Sequence, residues 1–207
     1  DHLLVIDHSR PAGSRIVGTY RLLTQNMARA AGGFYSAGEF AVDALVARHP
    51  GRRFLELGRS CVLAPYRGKR TVELLWQGIW AYVLLRRIDV LFGCASFEGT
   101  DAQALAAPLR FLGDNAAPPA EWSAPAVAGR GLTVPVSASP QSEDMRRALS
   151  ELPPLLKGYL RLGGYVGAQA VVDHAFGTTD VLVVLPVERI NPRYVTHYGA
   201  NAERFAA

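Results

Sequence analysis

The spacing of hydrophobic residues predicts strands and helices in alternation along the chain. Runs rich in β-branched and aromatic residues, bounded by turn residues, predict strands at 3–7, 16–23, Phe54–Val62, 90–96 and 181–185. Apolar residues at helical spacing across 71–87 predict a long helix directly after the third strand. The two last strands consist almost entirely of apolar residues, which is typical of strands buried on both faces.

Shorter helices fill most of the remaining chain. They are predicted at Val42–Arg48, 102–112, 142–149 and 155–162. Asp101 is the expected N-cap of the second of these, and Gly163 is expected to end the last. Segment 113–140, rich in Ala, Pro, Gly and Ser, predicts a long excursion with a short strand at 132–136. This order of elements predicts one α/β domain, 1–207, with a mixed sheet.

Composition narrows the class of protein. The chain has 207 residues, of which 49% are hydrophobic, and this is sufficient for one globular domain with a sizeable core. Its best candidate for a membrane span, 72–85, is interrupted by Glu73 and Gln77. Asp1 leads at once into a strand, so no signal peptide is expected and the natural protein is expected to begin upstream.

The cysteines and histidines suggest neither disulfides nor a metal. Cys61 and Cys94 both fall in predicted core strands, which favours small buried thiols in a reduced, cytoplasmic protein. We therefore expect Cys61 to be a core residue and not a nucleophile. The five histidines are scattered along the chain, so no metal site is predicted.

The most informative stretch runs from the strand Phe54–Val62 into the following helix. The strand carries Glu56 and Arg59 among apolar residues. On a regular strand these two side chains would lie on opposite faces, and a β-bulge at Gly58 would bring them together. Charged residues in such a strand indicate either a structural ion pair or a catalytic task, and the pattern alone leaves both open.

A basic turn follows this strand. Arg67, Lys69 and Arg70 flank Gly68, and the helix is expected to begin near Thr71. The free N–H groups and the positive dipole of a helix start attract anions, so the turn is a candidate phosphate cradle. A carboxylate followed by a phosphate site suggests group transfer from a phosphate-bearing carrier. A solvated basic loop is the alternative.

Other patterns exclude some functions. The chain contains neither GxGxxG nor GxxxxGK[ST], which disfavours nucleotide redox and ATP chemistry. Its net charge is +4, and no nucleic-acid-reading motif accompanies its basic residues. A cluster at Arg48, Arg52 and Arg53 leaves an acidic carrier protein or a membrane surface as possible partners.

Several longer motifs follow one another along nearly the whole chain. They are GTYRLL (18–23), FYSAGEF (34–40), LELGRSCV (55–62), YRGKRTVELLW (66–76), LFGCASFEGTD (91–101), PPLLKGYLRLGGYVG (153–167), VVDHAFGTTDVLVVL (171–185) and PRYVTHYG (192–199). In this order they resemble the motifs of a known family, the ornithine N-acyltransferases of ornithine-lipid synthesis. These belong to the hemolysin-like GNAT group and are similar to acyl-homoserine lactone synthases.

The resemblance implies a fold and a reaction. The fold would be a GNAT-like α/β acyltransferase fold, with a mixed, mostly antiparallel central sheet flanked by helices. The reaction would move a (3-hydroxy)fatty acyl group from acyl carrier protein to the α-amine of ornithine, giving lyso-ornithine lipid. No cofactor would be permanently bound, because the acyl-phosphopantetheine of the carrier is the donor. The location would be cytoplasmic, with peripheral contact with the inner membrane left open.

Two alternatives remain beside this reaction. Sister enzymes acylate other amino acids, so an acceptor such as glutamine is one of them. A non-catalytic lipid-binding protein, as the hemolysin label suggests, is the other. The family also carries an N-terminal segment that is absent from this chain.

The resemblance also implies roles for individual residues. Glu56 would be the general base, with Arg21 and Arg59 orienting it or the substrate, and the backbone N–H groups of Ser60, Cys61 and Val62 would hold the thioester oxygen. The phosphate would lie at Arg67, Gly68, Lys69, Arg70 and Thr71. The usual GNAT phosphate loop has small residues where this chain has Arg70 and Val72, and this departure favours the single phosphate of a carrier-bound donor. Candidates for the acceptor pocket are Tyr35, Glu39, Ser96, Asp173, Thr178, Thr179 and Asp180.

Overall fold

The strands and helices follow the hydrophobic pattern in most places. A computed structural model of the chain describes residues 1–133 and 142–199. The strands are β1 His2–Ile6, β2 Ile16–Thr24, β3 Phe54–Val62, β4 Val90–Glu98, β5 Gly131–Thr133, β6 Tyr165–Asp173 and β7 Thr178–Pro186. The helices are α1 Gln25–Ala30, α2 Val42–Arg48, α3 Lys69–Arg86, α4 Ala106–Ala116, α5 Ser142–Glu151, α6 Pro154–Leu162 and α7 Pro192–Gly199.

All seven strands form one sheet in the order β1-β2-β3-β4-β7-β6-β5. Neighbouring strands are antiparallel except β3 and β4, which are parallel. A parallel pair needs a crossover connection, and α3 provides it. The mixed, mostly antiparallel sheet that the resemblance implies is confirmed.

The parallel pair β3–β4 is short. It extends only from Phe54↔Val90 to Glu56↔Phe92, after which no described residue of β3 pairs with β4. A Cβ atom added to Gly93 would lie 2.2 Å from the carbonyl oxygen of Leu57, so only glycine allows the strands to approach where their pairing ends. Beyond this point a gap opens between the carboxyl ends of the two strands.

A β-bulge interrupts the regular alternation of β3 beside this gap. Thr19 pairs with Cys61 and Arg21 with Gly58, so β3 has one more residue than β2 across this interval. Within it, Arg59 has a φ of 50°, in the left-handed region that non-glycine residues rarely adopt. The bulge expected at Gly58 is confirmed immediately after that residue.

Hydrophobic side chains cover both faces of the sheet. On one face, Leu55 and Leu57 of β3 pack in a cluster with Ile79 of α3. On the other, Phe54 packs with Phe92 in a cluster that also covers the 34–45 region. Because side chains alternate along a strand, Glu56 lies on the same face as Phe54 and below the segment that begins at Phe34.

Several predicted boundaries are corrected. Helix α3 begins at Lys69 because Gly68 is its N-cap, so Lys69 and Arg70 belong to its first turn and not to the preceding loop. Helix α4 begins at Ala106, and Asp101 accepts a bond from the Gln103 N–H in a turn instead of capping the helix. Of the strand predicted at 132–136, residues 134–136 lie outside the described part of the chain.

Three elements were not predicted: α1, β6 and α7. The described helices include none that is both long and apolar enough to cross a membrane.

Candidate active site

Two pockets meet in the gap between β3 and β4. The first, here called the α3 pocket, has a volume of about 690 Å³ and lies against α3 and the start of α6. The second, the hairpin pocket, has about 440 Å³ and extends to the β6–β7 hairpin. Four residues line both pockets and define the junction between them: Ser60, Cys61, Ser96 and Leu155. A molecule in each pocket could therefore react with the other at this junction.

The α3 pocket is mainly apolar. Val72, Leu75 and Trp76 of α3 form one side, and Pro153, Pro154, Leu155 and Gly158 supply the other. Of the three cations predicted to bind the phosphate, Arg67 lines this pocket. Lys69 forms an ion pair with Glu73 at 3.6 Å, and Thr71 is buried beside Gly18. The exposed residues Gly68, Lys69 and Arg70 stand at the N-terminus of α3, outside the pocket lining.

Glu56 lies at the base of the hairpin pocket, and its carboxylate is fully hydrogen-bonded. Its Oε2 accepts from Arg21 Nη2 at 3.1 Å and from the Tyr35 N–H at 3.0 Å. Its Oε1 accepts from the Ser36 N–H at 2.7 Å and from the Ser36 hydroxyl. An ionised carboxylate has about four lone-pair sites, and four donors occupy them. With 1% of Glu56 exposed, this geometry does not favour the general-base role that the resemblance implies.

The two arginines of the predicted catalytic set converge on one aromatic ring. Arg21 and Arg59 place their guanidinium carbons 5.1 and 5.3 Å from the ring centre of Tyr35. Arg59 also lies 5.4 Å from the ring of Phe176 and forms no ion pair with another described residue. The bulge thus presents Arg59, held between two rings, as a cation available to a ligand.

The opposite side of the hairpin pocket is acidic. Asp173 and Asp180 line it, and Asp180 is buried and accepts a hydrogen bond from the Thr178 hydroxyl at 3.0 Å. Glu39 lies close to Asp180 but is not among the residues that line the pocket. Burial and, next, the negative charge of Asp180 raise the pKa of Glu39 above its ordinary value. Perturbed carboxyl groups of this kind are concentrated at functional sites.

Glu39, Asp180 and Cys94 could in principle surround a cation. Their ligand atoms lie within 4.8 Å of one another, and within the described ranges no other group of acidic, Cys or His side chains is so arranged. The Cys94 thiol donates to Glu39 Oε2 at 3.5 Å, and burial raises the pKa of this thiol well above its ordinary value. The Cys94 thiol and the Glu39 carboxylate are thus linked by a hydrogen bond beside Asp180.

The structure brings together most, but not all, of the predicted acceptor residues. Tyr35, Ser96, Asp173, Thr178 and Asp180 line the hairpin pocket. Thr179 does not, because it is buried in β7 and donates to the Gly99 carbonyl at 2.8 Å.

Sequence reasoning missed other residues of the site. Ser36, Cys94 and Phe176 line the hairpin pocket, and Leu155 lines the junction. The only signal for Ser36 was its place in the FYSAGEF motif.

The prediction that Cys61 is a core residue was wrong. This residue is exposed at the junction and not buried in the core. It follows the bulge, which breaks the alternation of β3, and it lies beyond the last pair with β4.

Comparisons with known proteins agree with this architecture. Residues 1–77 match the family model described as Acetyltransferase (GNAT) domain. The chain is 56% identical to the L-ornithine N(alpha)-acyltransferase of Agrobacterium fabrum, over 99% of this chain and 70% of that protein. Identities to the enzymes of the same name are 54% in Rhizobium meliloti and 50% in Brucella abortus, covering 70% and 73% of those proteins.

The chain belongs to the L-ornithine N(alpha)-acyltransferase family. This is a family of amino-acid N-acyltransferases, and its GNAT-type fold agrees with the sheet described above. A solved structure of FeeM, an N-acyl amino acid synthase from uncultured soil microbes, has a TM-score of 0.49 at 11% sequence identity. The match covers 84% of this chain and 65% of that one.

The two cysteines of this family member should differ sharply towards iodoacetamide. We expect Cys61 to be alkylated, because it is exposed, and Cys94 to react far more slowly, because it is half-buried and burial raises the pKa of its thiol. Peptide mass spectrometry would locate the label, and a thioester donor bound at the junction should protect Cys61. The Cys61→Ser variant is the control and should take up no label. Comparable labelling of Cys94 would contradict the described burial.

Proposed function

We propose that the protein transfers a (3-hydroxy)fatty acyl group from the phosphopantetheine thioester of acyl carrier protein to the α-amine of ornithine. The product would be lyso-ornithine lipid. The observation that carries this proposal is the meeting of an apolar pocket and a charged pocket at one junction. The donor would enter through the first and the amino acid through the second, so that thioester and amine meet beside Ser60 and Ser96.

The donor side suits an acyl-phosphopantetheine arm. Val72, Leu75 and Trp76 offer apolar surface to the chain, and Arg67 with the N-terminus of α3 attracts its phosphate. Beyond Glu56 the edge of β3 that faces the gap pairs with no strand among the described residues, so its backbone groups are available to the amides of the arm. Backbone N–H groups of Ser60 to Val62 are candidates to hold the thioester oxygen as it gains negative charge.

The acceptor side suits an amino acid with a second positive charge. Ornithine carries one carboxylate and two amines. We assign the carboxylate to Arg59, aided by Arg21, and the side-chain ammonium to Asp173. Asp173 is half-buried and already accepts from the Ala175 and Phe176 N–H groups. Glutamine has no second cation to be attracted by this carboxylate, so the pocket favours ornithine over glutamine.

The amine must lose a proton before it can attack, because at neutral pH it is mostly protonated. We assign this proton to Asp180, which lines the pocket and lies opposite Ser96 in the pairing of β7 with β4. The nitrogen then bonds to the carbonyl carbon and the C–S bond breaks. The nitrogen's second proton goes to the leaving sulfur, so that the carrier leaves as the thiol, and Asp180 then returns its proton to solvent. Glu56 contributes by holding Arg21 and residues 35–36 in place.

The test is a product assay with defined substrates. The protein is incubated with acyl carrier protein thioester and each amino acid in turn, and mass spectrometry identifies the acylated product. We expect acyl-ornithine as the main product. Preferential acylation of glutamine would replace the acceptor, and absence of acylation with every amino acid would favour the non-catalytic lipid-binding alternative.

Charge reversal of the α3 turn should weaken use of the carrier-bound donor. The triple change Arg67→Glu, Lys69→Glu and Arg70→Glu is expected to raise the donor KM about tenfold at low salt and to flatten its salt dependence, because these exposed cations attract the phosphate and the acidic carrier. Steady-state kinetics across ionic strength would measure both effects.

The matched control for the turn is Arg29→Glu, an exposed cation of α1. An unchanged donor KM in the triple variant would remove the turn from phosphate binding.

The cluster at Arg48, Arg52 and Arg53 is less suited to the carrier. Arg48 donates to the Ser123 carbonyl, and Arg52 and Arg53 pair with Glu188 and Asp89.

A further inference from the structure

A third cavity lies away from the junction. It is a groove of about 720 Å³ between α4, α5, α6 and the start of β6, here called the α6 groove. Apolar side chains form much of its surface, among them Phe111, Leu149 and Leu160. No acidic side chain is among its described lining residues. Four cations are: Arg146, Lys157, Arg161 and Arg189.

Two of the four cations, Lys157 and Arg189, are held by hydrogen bonds to backbone carbonyls, and two are not. Arg146 and Arg161 are exposed and form no hydrogen bond or ion pair with another described residue. Arg189 is fixed by a bond from its Nε to the Gly163 carbonyl at 3.1 Å and lies 4.1 Å from the centre of the Tyr165 ring. Like charges gathered without a counter-charge repel one another. Their arrangement around an apolar surface is suited to a ligand with an anionic head and an apolar tail.

We propose that the α6 groove binds an anionic phospholipid at a membrane surface. The cations would contact the phosphate, and the apolar side chains would cover part of the acyl region. Helix α6 itself separates the groove from the α3 pocket, since Leu155 and Gly158 line the pocket whereas Lys157 and Leu160 line the groove. A helix with its side chains is only about 10–12 Å wide, so a bilayer at the groove lies close to the α3 pocket.

The purpose of this contact rests on the proposed function. An acylated amino acid is an amphiphile, and a nearby bilayer gives its chain an apolar environment as it leaves the protein. An acidic protein could also pair with the cations. Its acidic side chains would not cover the apolar surface between Phe111 and Leu160, whereas a phospholipid satisfies both features with one molecule.

Vesicle co-sedimentation tests the proposal. The full chain should sediment with phosphatidylcholine vesicles that contain phosphatidylglycerol and not with pure phosphatidylcholine. The double variant Arg146→Gln, Arg161→Gln should lower this partition roughly 25-fold, at about fivefold for each cation near an anionic surface. Neither side chain has a partner in the described chain, so the fold should be unaffected.

A matched control separates the groove from bulk charge. Arg29→Gln, Arg193→Gln removes the same charge from exposed sites on α1 and α7 and should leave the partition close to wild type. Dodecyl phosphate should displace the protein from vesicles, and inorganic phosphate at the same concentration should not. An equal loss in the control pair, or equal displacement by inorganic phosphate, would overturn the proposal.

The kinetic readout keeps the two proposals distinct. The groove variant should retain wild-type kcat and KM for a soluble acyl-carrier donor. A raised donor KM with unchanged vesicle binding would assign the groove to an acidic protein and overturn the lipid proposal. Absence of acyl transfer by the wild type, with vesicle binding intact, would refute the proposed function and leave the lipid site standing.

Discussion

Asp180→Asn is expected to lower kcat/KM for ornithine by about a hundredfold or more, in the range that a positioned proton acceptor supplies. Asp180 combines burial, a place in the pocket lining and a neighbouring carboxyl group, Glu39, whose pKa is raised. The amide keeps an oxygen that can accept from Thr178, so the fold should persist. The measurement is kcat/KM across pH, with thermal unfolding recorded for each variant.

Asp173→Asn is the matched control for this experiment. It removes a carboxylate from the same side of the pocket and keeps Asp180, which lies opposite Ser96 on the neighbouring strand. We expect a raised KM for ornithine, a largely retained kcat and a weaker preference over glutamine. If Asp180→Asn turns over at nearly the wild-type rate with an unchanged pH profile, Asp180 is not the proton acceptor.

Glu56→Gln is expected to reduce the free energy of unfolding by about 3 kcal/mol, and activity with it. Each carboxylate oxygen of Glu56 accepts two hydrogen bonds, so an amide NH₂ in either position would face two donors. The change also removes the ion-pair partner of Arg21. The Arg21 guanidinium packs closely over Gly58, where an added Cβ atom would lie 2.8 Å from Nη2. Urea unfolding monitored by circular dichroism would measure the loss.

Ser36→Ala is the control for Glu56, because it removes one donor and leaves the charge pair intact. Its expected cost is about 1 kcal/mol. A Glu56→Gln variant that unfolds like the wild type but has lost turnover across the pH range would return Glu56 to the general-base role.

The fold could be predicted where the signal is local. The bounds of β3 and α2 follow directly from their hydrophobic pattern, and Gly163 ends α6 with a φ of 98°, as a glycine after a helix should. Strand β6 was missed because its sequence, YVGAQAVVD, carries Gly, Ala and Gln, which are weak strand formers. Its pairing with β7, and not its own composition, makes it a strand.

The site was harder to predict than the fold. The pattern in β3 identified Glu56, Arg59 and the bulge, but not what surrounds Glu56. Its donors come from Tyr35 and Ser36, which are brought to β3 by tertiary packing that a single sequence does not encode locally. The same limit explains Cys61, whose exposure depends on where β4 separates from β3. Buried Thr179 was misassigned because alternation cannot say which face of β7 meets the pocket.

Gly93 allows β3 and β4 to approach closely at the edge of the gap between them. Any larger residue there would press against the Leu57 carbonyl and force β3 and β4 apart at their last paired position. Gly93 lines neither pocket, yet the close approach it allows lies next to the gap in which Ser60 and Ser96 line both pockets. Substrate preference could therefore drift through a position that no ligand touches, and laboratory selection for bulkier acyl donors should include it among the varied sites.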